Sequence, residues 1–365
     1  MIKVAQILSK GANGGVESIV YNYYKNIDHS QFSFDFFIEN ESKIINKESV
    51  EKYGGRVFII PSYNKIAAYK KCLLYYFQKE NYDIVHSNIS TMSFLPLKIA
   101  KEVGIKTRIV HSHSTGSFKE PIKTSLKLIL RHSSMKYATN YFACGTKAAK
   151  FQFGACALKN NHVFILNNAI DINRFSFNIE KRELIRKKYS IPNNCILLGT
   201  IGRLEDQKNP FFLLKILKYL SLNSENFRLM FVGSGTLEKK MKAWCYCHKI
   251  NNYVTFVNST LYPEDYYCAF DFFLLPSRYE GLPVVSIEAQ ANGVYTILSD
   301  KITKEVKLTD IVCYLPIGSP KLWAEKISQK KSVSHLAMQS NLDTYNILIQ
   351  VKKLENKYKD LVHNN

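Results

Sequence analysis

The sequence predicts an α/β protein of two parallel-sheet domains, and three observations carry that prediction. The chain has 365 residues, more than one hydrophobic core ordinarily serves and suited to two domains of roughly 150 residues. Short β-branched and aromatic runs alternate with helix-length amphipathic stretches from end to end, the pattern of βαβ units. A polar stretch, NAIDINRFSFNIEKRELIRKKYSIPNN (168–194), separates two sets of such runs and reads as the domain junction.

In the first set, IKVAQILS, FSFDFFIE, RVFIIP, YDIVHS, TRIVHSH, NYFACG and HVFILNN read as strands. In the second, CILLGTIG, FRLMFVG, VTFVN, DFFLLP and YTILSD repeat the theme. Most of these runs end at Gly, Ser or His, and open α/β sheets gather their ligands at the carboxyl ends of strands. A last amphipathic segment, from about Leu342 to Leu361, follows the second set.

A hydrophobic fraction of 46%, with 13% aromatic residues, is ample for two cores and argues against large-scale disorder. No apolar run approaches the roughly 18 residues of a spanning helix. MIKVAQILSKG reads as a first strand running into a glycine loop, without the apolar core or cleavage site of a signal peptide. The eight cysteines show no CxxC spacing, which speaks against zinc; they read as buried small hydrophobes in a reducing, cytoplasmic compartment. Fifty Lys and Arg against 30 Asp and Glu give a net charge of +20, which attracts nucleic acid, anionic lipid or phosphorylated ligands. Without a zinc finger, an aromatic RNP motif or an Arg cluster, nucleic acid is the weaker choice.

SKGANGGVES follows the first strand and precedes a helical pattern. Its Gly11, Gly14 and Gly15 admit close backbone approach, and the helix start offers N–H groups to an anion; a plain flexible turn is the alternative. It is neither GxGxxG nor a Walker loop. In GTIGRLEDQKNP a strand ends at Gly202, Arg203 and Lys208 follow, and Asn209 and Pro210 read as N-cap and first residue of the next helix. Two cations at a helix start suit a diphosphate, against the alternative of two solvated surface charges. FVGSG closes the next strand with Gly233 in the same way.

PSRYEGLPVVSIEAQANG (276–293) places Glu280 on a loop and Glu288 in the helix beyond it. The two carboxylates suit a clamp on one ligand, with N–H groups around Gly281 toward phosphate and a carboxylate toward a ribose diol. An acid/base pair flanking a glycosidic bond and two solvent-facing glutamates are the alternatives. RIVHSHSTG and DIVHSN end strands with His111, His113 and His86. These read as ligand contacts or structural histidines, and the absence of carboxylates at comparable strand ends speaks against a metal pair.

Together the motifs GGVE, IVHSHS, ACG, NNAID, GRLEDQKN, VGSG and PSRYEGLPVVSIEAQANG resemble the nucleotide-sugar-dependent glycosyltransferases of the GT-B fold, family 4, of the bacterial capsule, exopolysaccharide and O-antigen kind. The resemblance runs nearly end to end, and the paired-glutamate stretch is its most specific part. It implies two Rossmann-like domains with parallel sheets facing a central cleft. Residues 1–175 would form the acceptor domain, joined by a crossover helix at about 342–362, and residues 190–340 the nucleotide-sugar domain. By resemblance, Arg203 and Lys208 hold the donor diphosphate, Glu288 grips the ribose, and Glu280 lies near the transferred sugar. Gly281, Leu282 and Val284 offer backbone N–H groups with Pro283 between them in the same donor-binding loop, Gly233 lines the donor site, and Gly15 approaches from the opposite wall. His113 matches the strand-end histidine near the reaction centre, with His86 and His111 on the acceptor side. The catalytic set is then His113, Arg203, Lys208 and Glu280.

The resemblance further implies retention of configuration, no metal, no cofactor beyond the co-substrate (a UDP-sugar for preference), and a lipid-linked saccharide acceptor. Ala169, Asn258 and the Val294-Tyr295 pair depart from the family pattern, all outside its charged residues. A sugar-nucleotide epimerase of the same fold and a silent partner subunit are the rival functions; a silent paralogue is expected to lose Arg203, Lys208 or a glutamate, and all are present. KEPIKTSLKLILRHSSMK carries Lys119, Lys123, Lys127 and Arg131 beside apolar residues. It reads as a basic amphipathic helix on an anionic leaflet or as an ordinary packed helix with a solvated face, and the net charge favours the first. The expected location is cytoplasmic and peripheral, on the inner face of the cell membrane.

Overall fold

A computed structural model of the chain describes residues 1–8, 15–42, 44–113, 131–160, 162–222, 226–330, 335 and 341–364. Two compact units emerge, Met1–Ile170 with Thr344–Asn365, and Asp171–Asp343.

The first unit is built on seven parallel strands: β1 (Ile2–Ile7), β2 (Phe32–Ile38), β3 (Arg56–Ile59), β4 (Ile84–Ser87), β5 (Thr107–Ser112), β6 (Asn140–Ala143) and β7 (Val163–Ile165). Their spatial order is β3-β2-β1-β4-β5-β6-β7. Val4, Ala5, Ile7, Val85, Ile109 and Val110 are fully enclosed, as expected of central strands covered by helices on both faces. The helix Ile347–His363 buries Ile347, Val351, Leu354 and Tyr358, an i, i+4, i+7, i+11 stripe, and packs on the helix Gly15–Asn26. A bridge between Ile170 and Asn346 leads into it, and the Asn346 side chain caps its first turn at Leu348 N.

The second unit repeats the plan with β8 (Ile196–Ile201), β9 (Phe227–Val232), β10 (Val254–Val257), β11 (Phe272–Leu275), β12 (Tyr295–Ser299) and β13 (Val312–Leu315). Their order is β10-β9-β8-β11-β12-β13. Here β13 is an addition to the strands read from sequence: it is a four-residue edge strand, largely half-buried, inside the apolar run IVCYLP. The core gathers Leu213, Leu214, Ile216 and Leu217 of the helix Pro210–Ser221 under Trp323, whose ring meets Phe212 edge-on.

The polar stretch 168–194 is more than a junction. Most of it lies inside the second unit, where the helix Ile179–Lys188 packs on the helix Pro263–Ala269. Arg182 and Arg186 grip Asp271 at 2.7 and 3.2 Å, and the same carboxylate accepts from Leu197 N at 2.7 Å. Its charges look solvent-directed in sequence because their acidic partners, Glu264, Asp265 and Asp271, lie far along the chain. All eight cysteines are free, but Cys156 and Cys247 are exposed, contrary to the buried role expected of them; both sit on outward faces of their helices.

In both sheets the strand order reverses, between β1 and β4 and between β8 and β11. Those reversals open crevices at the carboxyl ends of the strands, where ligands of such sheets bind.

Candidate functional site

In the second unit, the reversal between β8 and β11 decides which loops meet. Gly202 follows β8 with φ +149°, and a Cβ there would lie 3.3 Å from Lys208 Cε, so the Lys208 chain runs back across the strand end. Gly233 follows β9 with φ +141°, and its Cβ would fall 2.1 Å from Gly202 O; one on Gly235 would fall 2.3 Å from Leu204 O. The two loops therefore touch backbone to backbone, stitched by Gly202 N to Val232 O at 2.9 Å and Leu204 N to Ser234 O at 3.0 Å. Only glycine permits that approach.

The loop after β11 is fastened to the same place. Arg278 N donates to Gln207 O at 2.9 Å, and Gln207 Nε2 to Tyr279 O at 3.1 Å. Asn209 and Pro210 stand at N-cap and N1 as expected, but Asn209 is left-handed (φ 53°) and caps nothing with its side chain. Its Nδ2 instead donates to Pro276 O at 3.3 Å, which holds the two loops together. Lys208 Nζ consequently meets Glu280 Oε1 at 2.7 Å, with the side chains 18% and 8% exposed. The carboxylate oxygen lacks a well-directed hydrogen bond, so this contact is ionic.

Glu288 sits in the helix Val284–Asn292, whose start carries no side-chain cap and leaves its first N–H groups to other acceptors. Tyr267 donates its hydroxyl to Glu288 Oε2 at 2.8 Å. Burial pushes the Glu288 carboxyl up to about 7; Tyr267, Arg174 and Lys208 pull the other way, while Glu264 adds to the rise. Arg174 is itself held by Glu264 at 2.9 Å.

The structure thus brings Lys208, Glu280 and Glu288 into one electrostatic neighbourhood beside Gly233, with Gly281, Leu282, Pro283 and Val284 supplying the connecting backbone. Arg203 is exposed nearby and reaches Gln207 Oε1 at 3.4 Å. Tyr267, Arg174 and Glu264 join this neighbourhood without any signal in the motifs; in sequence Tyr267 is one aromatic in an amphipathic helix.

The histidines gather in the first unit, because β4 and β5 are neighbours. His86 Nε2 lies 3.0 Å from His111 Nδ1, His86 Nδ1 lies 2.6 Å from Tyr358 OH, and His113 Nε2 lies 3.0 Å from Asn88 Oδ1. The His111 and His113 rings lie 3.9 Å apart. Burial lowers His86 to about 3 and His113 to about 4 and depresses His111 well below its ordinary value, so all three are neutral at physiological pH. With both ring nitrogens engaged, His86 is an internal group, the structural alternative of the sequence reading. Among the described residues no cluster of three or more His, Cys, Asp or Glu is arranged to hold a metal.

Gly15 opens the helix Gly15–Asn26, with no atom within 4 Å of a Cβ built there; Gly11 and Gly14 lie outside the described residues. So do Lys119, Lys123 and Lys127 of the basic stretch. Arg131 is half-buried and donates to Phe151 O at 2.9 Å. No described helix is long and apolar enough to cross a membrane.

Residues 181–328 match the family profile "Glycosyl transferases group 1". EpsF of Bacillus subtilis (strain 168), named as a glycosyltransferase, is 29% identical over 337 residues, covering 90% of this chain and 87% of EpsF. The UDP-Gal:alpha-D-GlcNAc-diphosphoundecaprenol alpha-1,3-galactosyltransferase of Escherichia coli is 24% identical over 321 residues, 82% of this chain and 79% of its own. Anabaena HepE, solved with UDP and glucose, superposes with a TM-score of 0.82 at 14% identity, covering 98% of this chain and all of HepE. Residues 181–328, which hold the Lys208–Glu280 pair, thus form a group 1 glycosyltransferase domain, in a chain that has the GT-B fold along its length and is a glycosyltransferase.

Proposed function

We propose that the protein transfers a sugar, with retention, from a nucleoside-diphosphate sugar to a lipid-linked saccharide during surface polysaccharide synthesis, without a metal, at the cytoplasmic face of the membrane. The observation that carries this reading is the Lys208–Glu280 ion pair beside Glu288, at the carboxyl edge of the second sheet. A polysaccharide role draws on the relatives: the Escherichia coli one is named for a UDP-sugar donor and a diphosphoundecaprenol acceptor.

The donor diphosphate takes the place beside Lys208 and the uncapped start of the helix Val284–Asn292, with Arg203 reaching in from solvent. As the sugar–phosphate bond breaks, negative charge grows on the departing diphosphate. A fixed ammonium and helix N–H groups stabilise that charge without reorganising. Glu280 holds Lys208 in position before the donor arrives and faces the transferred sugar afterwards. Glu288, oriented through one oxygen by Tyr267, keeps the other for the ribose hydroxyls. His113, Gly15 and the acceptor-side His111, all in the first unit, are the remaining candidates for contact with the sugar and the acceptor.

Thermal unfolding in the presence of UDP-, GDP- and dTDP-sugars tests the donor assignment, since a ligand that binds only the folded state raises the midpoint. Protection by one class is expected, with UDP favoured, and its loss in Lys208→Ala and Glu288→Ala. Lys208→Ala is further expected to cost on the order of 2–4 kcal/mol in kcat/KM. Protection by none refutes the reading. Donor isomerisation without an acceptor turns it toward an epimerase, and polysaccharide production unchanged in both variants turns it toward a silent subunit.

A further inference from the structure

The first unit contains a closed ring of buried hydrogen bonds around its histidines. Gln6 Nε2 lies 3.3 Å from Tyr358 OH, Tyr358 OH 2.6 Å from His86 Nδ1, and His86 Nε2 3.0 Å from His111 Nδ1. On the other side Asn88 Nδ2 lies 2.8 Å from Gln6 Oε1 and 3.4 Å from His86 O, and Asn88 Oδ1 3.0 Å from His113 Nε2. Gln6, His86, Asn88, His111 and Tyr358 are all at most 5% exposed.

The direction of every proton in this ring follows from one atom. The His86 carbonyl can only accept, so the group of Asn88 that faces it is the NH₂. Asn88 Oδ1 then faces His113, which must carry its proton on Nε2. The Asn88 NH₂ also faces Gln6 Oε1, so the Gln6 NH₂ donates to Tyr358. With that lone pair occupied, the Tyr358 proton goes to His86 Nδ1. His86 therefore holds its proton on Nε2 and donates it to His111 Nδ1, leaving the His111 proton on Nε2. Two atoms at its margin have no hydrogen-bond partner among the described residues, His111 Nε2 as a donor and His113 Nδ1 as an acceptor. Asn168 is close enough to His113 to act on it but is not aligned for a hydrogen bond. The cavity these side chains line is about 20 Å³, room for about one water and none for a sugar.

We propose that Tyr358 and Asn88, joined through Gln6 and His86, are positioning residues that lock the strand-end histidines as neutral Nε2–H tautomers, Tyr358 acting through His86 on His111 and Asn88 on His113, and so fix which nitrogen of His113 serves the transfer. The cavity is too small to be a ligand site, so the network works as a support. It ties the terminal helix, through Tyr358, to the histidine pair. The catalytic half of this inference rests on the proposed role of His113; the tautomer half does not.

The test is ¹⁵N-histidine NMR of the full chain together with transfer kinetics using a donor found by the unfolding screen. Wild type is expected to show His86, His111 and His113 as neutral Nε2–H tautomers. Tyr358→Phe keeps the buried ring and removes the hydroxyl, and His86 and His111 are then expected to populate both tautomers; Asn88→Leu is expected to free His113 in the same way, with kcat falling about tenfold at unchanged KM for the donor. Should Tyr358→Phe not fold, Gln6→Met removes the bond that occupies the Tyr358 oxygen, and His86 is expected to move its proton toward Nδ1. A wild-type His111 protonated on Nδ1, or variant tautomers identical to wild type, overturns the network. Altered tautomers with unchanged kcat overturn its part in catalysis. A wild type that binds no donor and transfers nothing overturns the proposed function and the catalytic half with it, while the spectra still judge the ring.

Discussion

Glu288 makes the energetics of the donor site measurable without any ligand. Its carboxyl is raised from 4.5 to about 7, with burial the leading cause. In the unfolded chain the group ionises near its ordinary value, so between roughly pH 4.5 and 7 the folded state binds the extra proton. A raised carboxyl therefore supports the fold fully at low pH and withdraws that support as pH rises through its folded value. The rise corresponds to about 3 kcal/mol. Glu288→Gln keeps an acceptor for Tyr267 and removes the titration. Thermal unfolding of both proteins from pH 5 to 8 then isolates the group, because every other titrating residue is common to the two. The midpoint of wild type relative to Glu288→Gln is expected to fall up to about pH 7 and level off beyond it, at about 2–4 °C per kcal/mol for a unit of this size. A flat difference, or one that rises with pH, refutes the enclosure of Glu288 argued above. Donor binding that requires the carboxylate is expected to weaken below pH 7 by about tenfold per pH unit, opposite in sign to the stability trend.

Gly233→Ala places a Cβ against Gly202 O at a φ of +141° and is expected to cost on the order of 2–4 kcal/mol in unfolding free energy by denaturant titration. Gly15→Ala, with open space around it, is expected to stay within about 0.5 kcal/mol in the same measurement. Asp271→Ala strands Arg182, Arg186 and Leu197 N and is expected to destabilise by about 3–5 kcal/mol, visible as a lower urea midpoint at unchanged slope. In flotation with anionic vesicles the wild type is expected to bind at low salt and release at high salt, while charge reversal at Lys119, Lys123, Lys127 and Arg131 abolishes binding; equal partitioning of both refutes the membrane reading.

What could be read from sequence follows from how local each signal is. Twelve strands declare themselves through dense apolar runs of five to eight residues closed by Gly, Ser, Asn, Asp, Pro or His. β13 lies in such a run too, IVCYLP, but a short apolar run by itself does not distinguish an edge strand from other chain packed on the core. Lys208, Glu280 and Glu288 are legible because each belongs to a short motif whose residues share one loop or helix turn. Their partners are not: Tyr267 reaches Glu288 from another helix, and Gln6 meets Tyr358 across 352 residues of chain. The diverted side chain of Asn209, which does hold the N-cap position, has the same origin. Asn before Pro is a sound capping signal, yet the carbonyl of Pro276, brought close only by the β8–β11 adjacency, claims the side chain first.

Where Gly202 and Gly233 meet, the gap between two strand ends is set to the thickness of bare peptide, with no side chain that evolution could trim or enlarge. Such a hinge-less seam cannot be tuned by small steps, because the first added methyl already overlaps a carbonyl oxygen. A lineage changing its sugar or base would have to leave this seam alone and rework the freer residues at its rim, such as exposed Arg203 and Tyr279. Freedom at the rim and rigidity at the seam are then two results of the same pair of glycines.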